Sequence, residues 1–306
     1  MSSSAGSSPA APWRSLFLGH IEAMKSPEFT LSTIRKVPSS SPQARLGIQG
    51  GDGFAHIPRA RTCIFRGMWA GLPVNSKNDA PLNPELYDSE LLTFTTDVRM
   101  DKMPELWDGL EASPSAEDGK TGGTGEGRSK LDGTGGGGPV EAVFWAEDAM
   151  VQWRVRGRAY VLGPDVDENG GAATRKLLQD RMRKRDPQHS TGQEGDWSWG
   201  REVTAHFGNL SPGMRGTFRN PPPGRPVNLP VGDGLGLGQK VTGLDDEVAR
   251  RHFRVVVIVP DEVDRCDLSD PARGRRWCYR FVGAGAEPEF PGGHVEDGWE
   301  KVETWP

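Results

Sequence analysis

Cysteine is scarce in this chain of 306 residues: there are three, Cys63, Cys266 and Cys278, with no C-x-x-C spacing. So odd and sparse a set argues against a disulfide framework or a thiolate zinc site and suits a reducing compartment, the cytoplasm by default. The six histidines show no metal-ligand spacing, and no metal is expected. Long apolar runs are also missing. The longest, such as residues 255–259, are far too short to span a bilayer, so no membrane segment is expected. The first eleven residues lack a basic start and an apolar stretch, unlike a secretory signal. Nor does charge of one sign dominate: 37 Lys+Arg against 42 Asp+Glu leave a formal −5. Nothing draws such a chain to nucleic acid in general, and any basic site has to be local. Hydrophobic residues make up only 35%, while 41 Gly and 25 Pro mark part of the chain as loop.

What is present is mostly strand. Residues 1–11 are expected to be a disordered tail. Residues 12–24 read as a helix, with Pro12 in a first-turn position and Trp13, Phe17, Ile21 and Met24 at helical spacing. Strands are predicted at 29–34 and 58–67, and an antiparallel pair at 140–145 and 151–161. In the last of these Val151, Trp153, Val155, Ala159 and Val161 share one face, and Gln152, Arg154, Arg156, Arg158 and Tyr160 the other. Residues 172–185 read as a basic helix and 197–218 contain another; 220–226 and 229–238 are proline- and glycine-rich loops. Strands at 252–259, 276–282 and 298–305 close the chain. No helix–strand alternation of the βαβ kind occurs. The fold class is therefore mainly β with peripheral helices (α+β), antiparallel and compatible with a barrel.

Ten of the 27 residues in 112–138 are glycine and Leu131 is the one large apolar residue there, so this stretch is expected to be a disordered insertion inside a single domain at 12–306. It contains two motif look-alikes. Gly133-x-Gly135-x-x-Gly138 matches a dinucleotide fingerprint, yet Pro139 and a strand follow where a helix is needed. Gly119-Lys120-Thr121 imitates a P-loop whose first glycine is here Pro114.

Residues 91–106 concentrate the chemistry. Leu92 and Phe94 alternate with Thr93 and Thr95 as in a strand; a polar turn, Thr96-Asp97-Val98-Arg99, then leads to a helix expected to start near Lys102. Hydroxyls, Arg99, Lys102 and the free N–H groups of a helix start would suit a phosphate. The plainer reading is a solvated strand–helix corner.

Three stretches in order resemble the pyridoxamine-phosphate-oxidase-like FMN-binding split barrels. Arg61-Thr-Cys-Ile-Phe-Arg66-Gly67 is similar to that family's R-x-V-L-x-[KR]-G strand. Phe94-Thr-Thr-Asp-Val-Arg99-x-x-Lys102-x-x-Glu105-Leu106 is similar to F-x-T-N/D-x-x-S-x-K-x-x-E-L. Val143-Phe-Trp145, then Gln152-x-Arg154-Val-Arg156-Gly157-Arg158-Ala159, is similar to F-x-W followed by R-Q-V-R-V-x-G-x-A. A C-terminal echo runs from Phe253-Arg254-Val255 through Arg275-Arg276-Trp277 to Trp299 and Trp305-Pro306. Trp197-Ser-Trp199 and Phe218-Arg-Asn-Pro-Pro-Pro-Gly224 resemble the branch known only as FMN-binding.

The resemblance implies an antiparallel split β-barrel holding FMN between the subunits of a homodimer. By it, Arg61 and Lys102 would hold the phosphate with Arg99 and the Thr95 or Thr96 hydroxyl. Gln152 would reach the ring or ribityl edge, Arg276 would contribute from the C-terminal part, and Arg66 could serve cofactor or substrate. The turn departs from the family, reading Met100-Asp101-Lys102 where Ser-Arg-Lys is usual, which places an acid beside the phosphate. The oxidases' ring-contacting Trp is replaced near Cys266-Asp267, and their R-P-x-x-S substrate segment survives only faintly at residues 185–190. No catalytic residue or substrate follows from the sequence. An FMN-dependent oxidoreductase acting on a small molecule is the leading expectation, a non-catalytic flavin or planar-ligand module the alternative, and a flavin-free scaffold the third.

Overall fold

The computed structural model describes residues 10–107, 131–186 and 188–306. Residues 1–9 of the expected tail at 1–11 and most of the expected insertion lie outside the described residues. Ala11, read as tail, is instead buried in the core, and its N–H donates to Glu90 Oε1 (3.3 Å). The strands are β1 (Glu28–Pro38), β2 (Ile48–Gln49), β3 (Phe54–Ile64), β4 (Tyr87–Ser89), β5 (Leu92–Asp97), β6 (Gly135–Ala146) and β7 (Val151–Leu162), then β8 (Met182–Lys184), β9 (Phe253–Asp267), β10 (Arg275–Phe281), β11 (His294–Glu296) and β12 (Trp299–Thr304). Ten form one sheet in the order β11-β12-β10-β9-β7-β6-β1-β3-β2, with β5 paired to β9, and all its pairings are antiparallel. β4 and β8 pair separately.

The split occurs at β9. β7 follows one of its edges along its length, while on the other edge β5 takes the first half and β10 the second. The circuit returns from β5 to the continuation of β3: Arg66 N donates to Thr93 O (2.8 Å), Thr93 N donates to Gly67 O (2.9 Å), and Met68 bridges Leu92. This is the mainly antiparallel split-barrel architecture anticipated from the sequence. The first half of β9 is buried on both faces, which is why it reads as a continuous apolar run. Val256 and Ile258 join the interior with Phe94, Phe144 and Trp153; Val255, Val257 and Val259 join a second core with Trp69 and Phe207.

The helices are peripheral: α1 (Arg14–Ala23), α2 (Ala172–Gln179), α3 (Trp199–Gly208), α4 (Pro212–Gly216) and α5 (Glu247–His252). α1 buries Phe17 and Ile21, and Trp13 just before it, against the barrel. The Phe17 ring meets Phe65, Phe144 and Trp153 edge-on at 5.9, 5.1 and 5.5 Å, the preferred geometry for aromatic pairs. No helix among the described residues is long and apolar enough to cross a membrane.

Three local expectations are corrected. The basic helix predicted to reach residue 185 stops at Gln179; residues 182–184 pair with β4 instead, where Arg183 meets Glu90 and Arg185 meets Glu85 and Asp88. The helix expected from Lys102 is a single 3-10 turn, Met103–Leu106, since the chain turns extended at Trp107 to bridge Gly137. With no α-helix there is no helix-start site, and any anion must be held by side chains.

The third correction concerns residues 135–138, read as disordered but forming the start of β6 with a bulge between Gly136 and Gly138. Glycine is required there by close approach. A Cβ on Gly138 would lie 2.6 Å from Glu105 O, and one on Gly135 2.2 Å from the Trp107 ring. Gly138→Ala is therefore expected to destabilise the fold by about 1–3 kcal/mol through overpacking. A thermal melt should show a midpoint lower by several degrees; an unchanged midpoint would mean the 105–107 backbone yields freely.

Candidate functional site

Where β3 and β5 approach each other, the outer face of the barrel carries a pocket of about 650 Å³, within the range of small-molecule sites. β3 and its continuation contribute Thr62, Cys63, Ile64 and Arg66; β5 contributes Thr95, Thr96 and Asp97; the following turn contributes Arg99, Met100 and Lys102. The opposite wall comes from residues 214–237, including Phe218, Asn220, Pro223, Arg225, Val227, Leu229 and Leu237. One wall is cationic and hydroxylated and the other mostly apolar.

Five of the eight expected residues meet here: Arg66, Thr95, Thr96, Arg99 and Lys102. Their states differ. Lys102 Nζ contacts only Met100 Sδ (3.2 Å) and has no carboxylate partner among the described residues; burial lowers its pKa. Arg66 is half-buried with Nε unpaired, and burial lowers its pKa too. Thr96 Oγ1 is buried and has no partner among the described residues. Two uncompensated cations and an orphaned hydroxyl around one pocket are the donor set a phosphate needs.

Arg99 lines the pocket but is fully engaged. Its guanidinium grips Asp97 through Nε–Oδ1 (2.9 Å) and Nη2–Oδ2 (2.6 Å), and donates to the carbonyls of Asn220 (3.0 Å) and Phe218 (3.2 Å). Its position makes it a clamp on the 214–237 wall. Asp101, the anomalous acid of the turn, faces Arg35 at 3.5 Å and is not among the pocket-lining residues.

The structure does not bring Arg61, Gln152 and Arg276 to this pocket. Arg61 turns toward the barrel end, donating to Glu105 Oε2 and Thr33 Oγ1 (both 2.5 Å). Its position follows from the β1 register, where Leu31 opposes Arg61, and from Glu105, only 4% exposed and in need of cations. Gln152 and Arg276 lie beyond β1 and β6, in one row across β7, β9 and β10 through Cys266. There Arg276 Nε (2.8 Å) and Arg154 Nη2 (2.7 Å) converge on Asp264 Oδ2, while Asp264 Oδ1 is buried without a partner.

Sequence reasoning noted residues 218–224 as an FMN-binding-branch resemblance but did not place 214–237 as a wall of the site, because a Pro/Gly-rich segment carries no periodicity to place it. It also missed His206 on α3, 1% exposed, stacked on Trp69 with ring centroids 5.6 Å apart. His206 Nδ1 donates to Glu202 O (2.9 Å), leaving Nε2 to face Thr93 Oγ1 at 3.3 Å. Burial pushes its pKa down, with nearby Arg66 adding to the shift. The folded state then refuses a proton that the unfolded state accepts below about pH 6.5, so the His206 contribution is full above that value and is lost as pH falls. Denaturant titrations from pH 7.5 to 5.5 should show stability falling, by up to about 1.4 kcal/mol per pH unit from this residue. His20 and His252 are shifted down as well, so His206→Gln should flatten only part of the slope. An unaltered slope in that variant would contradict the assignment.

Fold and pocket together define an antiparallel split barrel with a pocket lined on one side by cations and hydroxyls. The chain belongs to the pyridoxamine 5'-phosphate oxidase family: the sequence pattern of its FMN-binding domain matches residues 10–163, half of the chain. Among solved structures, the chain is similar to a pyridoxamine 5'-phosphate oxidase-related, FMN binding protein from Nostoc punctiforme PCC 73102, at 16% identity, covering 97% of this chain and 100% of that one, with a TM-score of 0.49. It is also similar to PhzG from Burkholderia lata 383, solved with tetrahydrophenazine-1-carboxylic acid, at 12% identity over 97% and 94% of the two chains, with a TM-score of 0.39. No curated protein matches the sequence.

Proposed function

We propose that the pocket between β3, β5 and the 214–237 wall binds FMN, and that the protein is an FMN-dependent oxidoreductase of the pyridoxamine 5'-phosphate oxidase-like type. The observation that carries this is the presence of Arg66 and Lys102 in one pocket lining, neither with a carboxylate partner among the described residues, together with the orphaned Thr96 hydroxyl. A phosphate dianion fits that set: Lys102 and Arg66 supply charge, Thr96 a hydroxyl donor, Thr95 a second hydroxyl at the rim. Arg61 acts from behind through its charge and its Glu105 pair. Arg99 holds the facing wall. When bound, the flavin supplies hydride or electron transfer, and the chain supplies position and electrostatics.

Gln152 and Arg276 belong to the same function in a homodimer, where they would reach the cofactor held by a second copy. Support comes from Asp264 Oδ1, buried and unpaired on their face of the sheet. Light scattering should give a dimer, and Arg276→Ala should weaken FMN binding; a monomer that binds FMN fully would overturn the arrangement. We assign residues 12–306 to one domain. The three free cysteines favour the cytoplasm.

A non-catalytic flavin or planar-ligand module is the second reading. It is favoured by two acidic side chains lining the pocket: Asp97 is gripped by Arg99 through both carboxylate oxygens, and burial pushes the Cys63 thiol up, away from a reactive thiolate. Reduction of the bound flavin by a nicotinamide or amine donor, then reoxidation in air, supports the enzyme; a flavin that neither donor reduces supports the module.

A further inference from the structure

Among the described residues, the hydrogen bonds that tie the 220–237 segment to the rest of the fold lie at its ends. At the start Arg99 holds the Asn220 carbonyl (3.0 Å); at the finish Arg219 Nη2 donates to Gly234 O (3.1 Å) and Gly236 N to Arg219 O (3.0 Å). Between them the backbone makes local turns, Arg225 N to Pro222 O and Leu229 N to Pro226 O. Five prolines between 221 and 230 stiffen this strap, so its shape costs little to maintain. Despite being shaped, it buries almost nothing: Val227, Leu229, Val231 and Leu237 are exposed, yet all four line the pocket facing the cation wall.

Arg225 sits among these apolar residues and also lines the pocket. Arg99 and Arg219 are used on Asp97, Asp246 and strap carbonyls, whereas the Arg225 guanidinium has no hydrogen bond or ion pair among the described residues. An apolar wall with a single unspent cation is complementary to a flat apolar molecule bearing one acidic group.

We propose that the strap forms a second subsite of this pocket, taking a planar, apolar monoanion with its body against Val227, Leu229 and Leu237 and its acid on Arg225. This rests on the cofactor reading above for what occupies the Arg66–Lys102 wall. The strap is then the specificity-determining element, and it lies outside the residues matching the family pattern.

The test uses a matched probe pair, 1-naphthoate and its uncharged amide 1-naphthamide, titrated calorimetrically into protein first saturated with FMN. Wild type should bind naphthoate about tenfold tighter than naphthamide, the scale of one charge-assisted hydrogen bond. Arg225→Ala, likewise saturated with FMN, should remove that preference by weakening naphthoate while leaving naphthamide within about twofold of wild type, since the uncharged probe makes no charge-assisted bond. Val227→Asp should weaken both probes. Equal affinity for the two probes in wild type, an Arg225→Ala variant that keeps the preference, or naphthoate that displaces FMN would each overturn the subsite. So would a Val227→Asp variant that alters the oligomeric state but not probe binding, because a second copy would then be what covers the strap. If no FMN binds, the cofactor reading fails by itself, and the Arg225→Ala contrast in flavin-free protein still decides the subsite.

Discussion

Lys102→Ala is expected to weaken FMN binding about 10- to 100-fold, the range set by losing one hydrogen bond to a charged group, about 1.5–3 kcal/mol. The fold should not suffer. Lys102 donates only to Met100 Sδ, so its removal strands no buried partner among the described residues and relieves the burial of a cation. The same burial gives a pH signature. Since the ammonium is the binding form and its pKa is lowered, affinity should fall as pH rises, starting below the usual lysine range. Flavin fluorescence quenching, titrated in parallel with a thermal melt, separates the two readouts. An unchanged dissociation constant would remove Lys102 from the phosphate site and leave Arg66 to carry it.

The largest effect on stability is expected at Glu105. Its side chain is almost fully buried and accepts from Thr33 Oγ1 (2.6 Å), Arg35 Nε (2.8 Å) and Arg61 Nη2 (2.5 Å). It thereby ties β1 and β3 to the turn that presents Lys102. Glu105→Ala removes the anion and leaves two guanidinium groups facing each other, a change expected to cost about 3–5 kcal/mol. Replacing the whole cluster with apolar residues, Glu105→Leu with Arg35→Met and Arg61→Met, should recover much of that loss, since well-packed hydrophobes often match buried ionic groups. Urea denaturation measures both. A loss under about 1 kcal/mol in Glu105→Ala would show that the pair is solvent-screened and that the turn stands without it.

Much of the fold was legible because it follows periodicity. The alternation in residues 151–161 places Val151, Trp153 and Val155 in the core and Gln152, Arg154 and Arg156 outside, as the burial along β7 bears out. Failures arose where tertiary contacts override local pattern. The glycines at 135–138 looked like disorder, since sequence cannot reveal that Glu105–Trp107 would press on any Cβ there. The turn at 103–106 looked like a helix start because a strand–turn–apolar pattern does not show that Trp107 is drawn off to β6.

The cation wall was half legible. Arg66, Thr95, Thr96, Arg99 and Lys102 follow a recognisable pattern and share the pocket, but a motif cannot say which cations are already spent. Arg61 is spent on Glu105 and Arg99 on Asp97; that depends on carboxylates brought in by the fold. The position of the 214–237 wall was illegible, beyond the resemblance at residues 218–224, for a different reason. Its contacts are carbonyls gripped by Arg99, Arg219 and Gln239, and any sequence supplies carbonyls.

The most direct measurement is the visible absorption spectrum of the purified protein, before and after adding FMN, with mass identification of whatever denaturation releases. Two flavin bands and released FMN, or saturable uptake of added FMN that is lost with Lys102→Ala, are the expected result. A colourless protein that takes up no added FMN would contradict the cofactor assignment and leave a split barrel whose paired cations serve another anion.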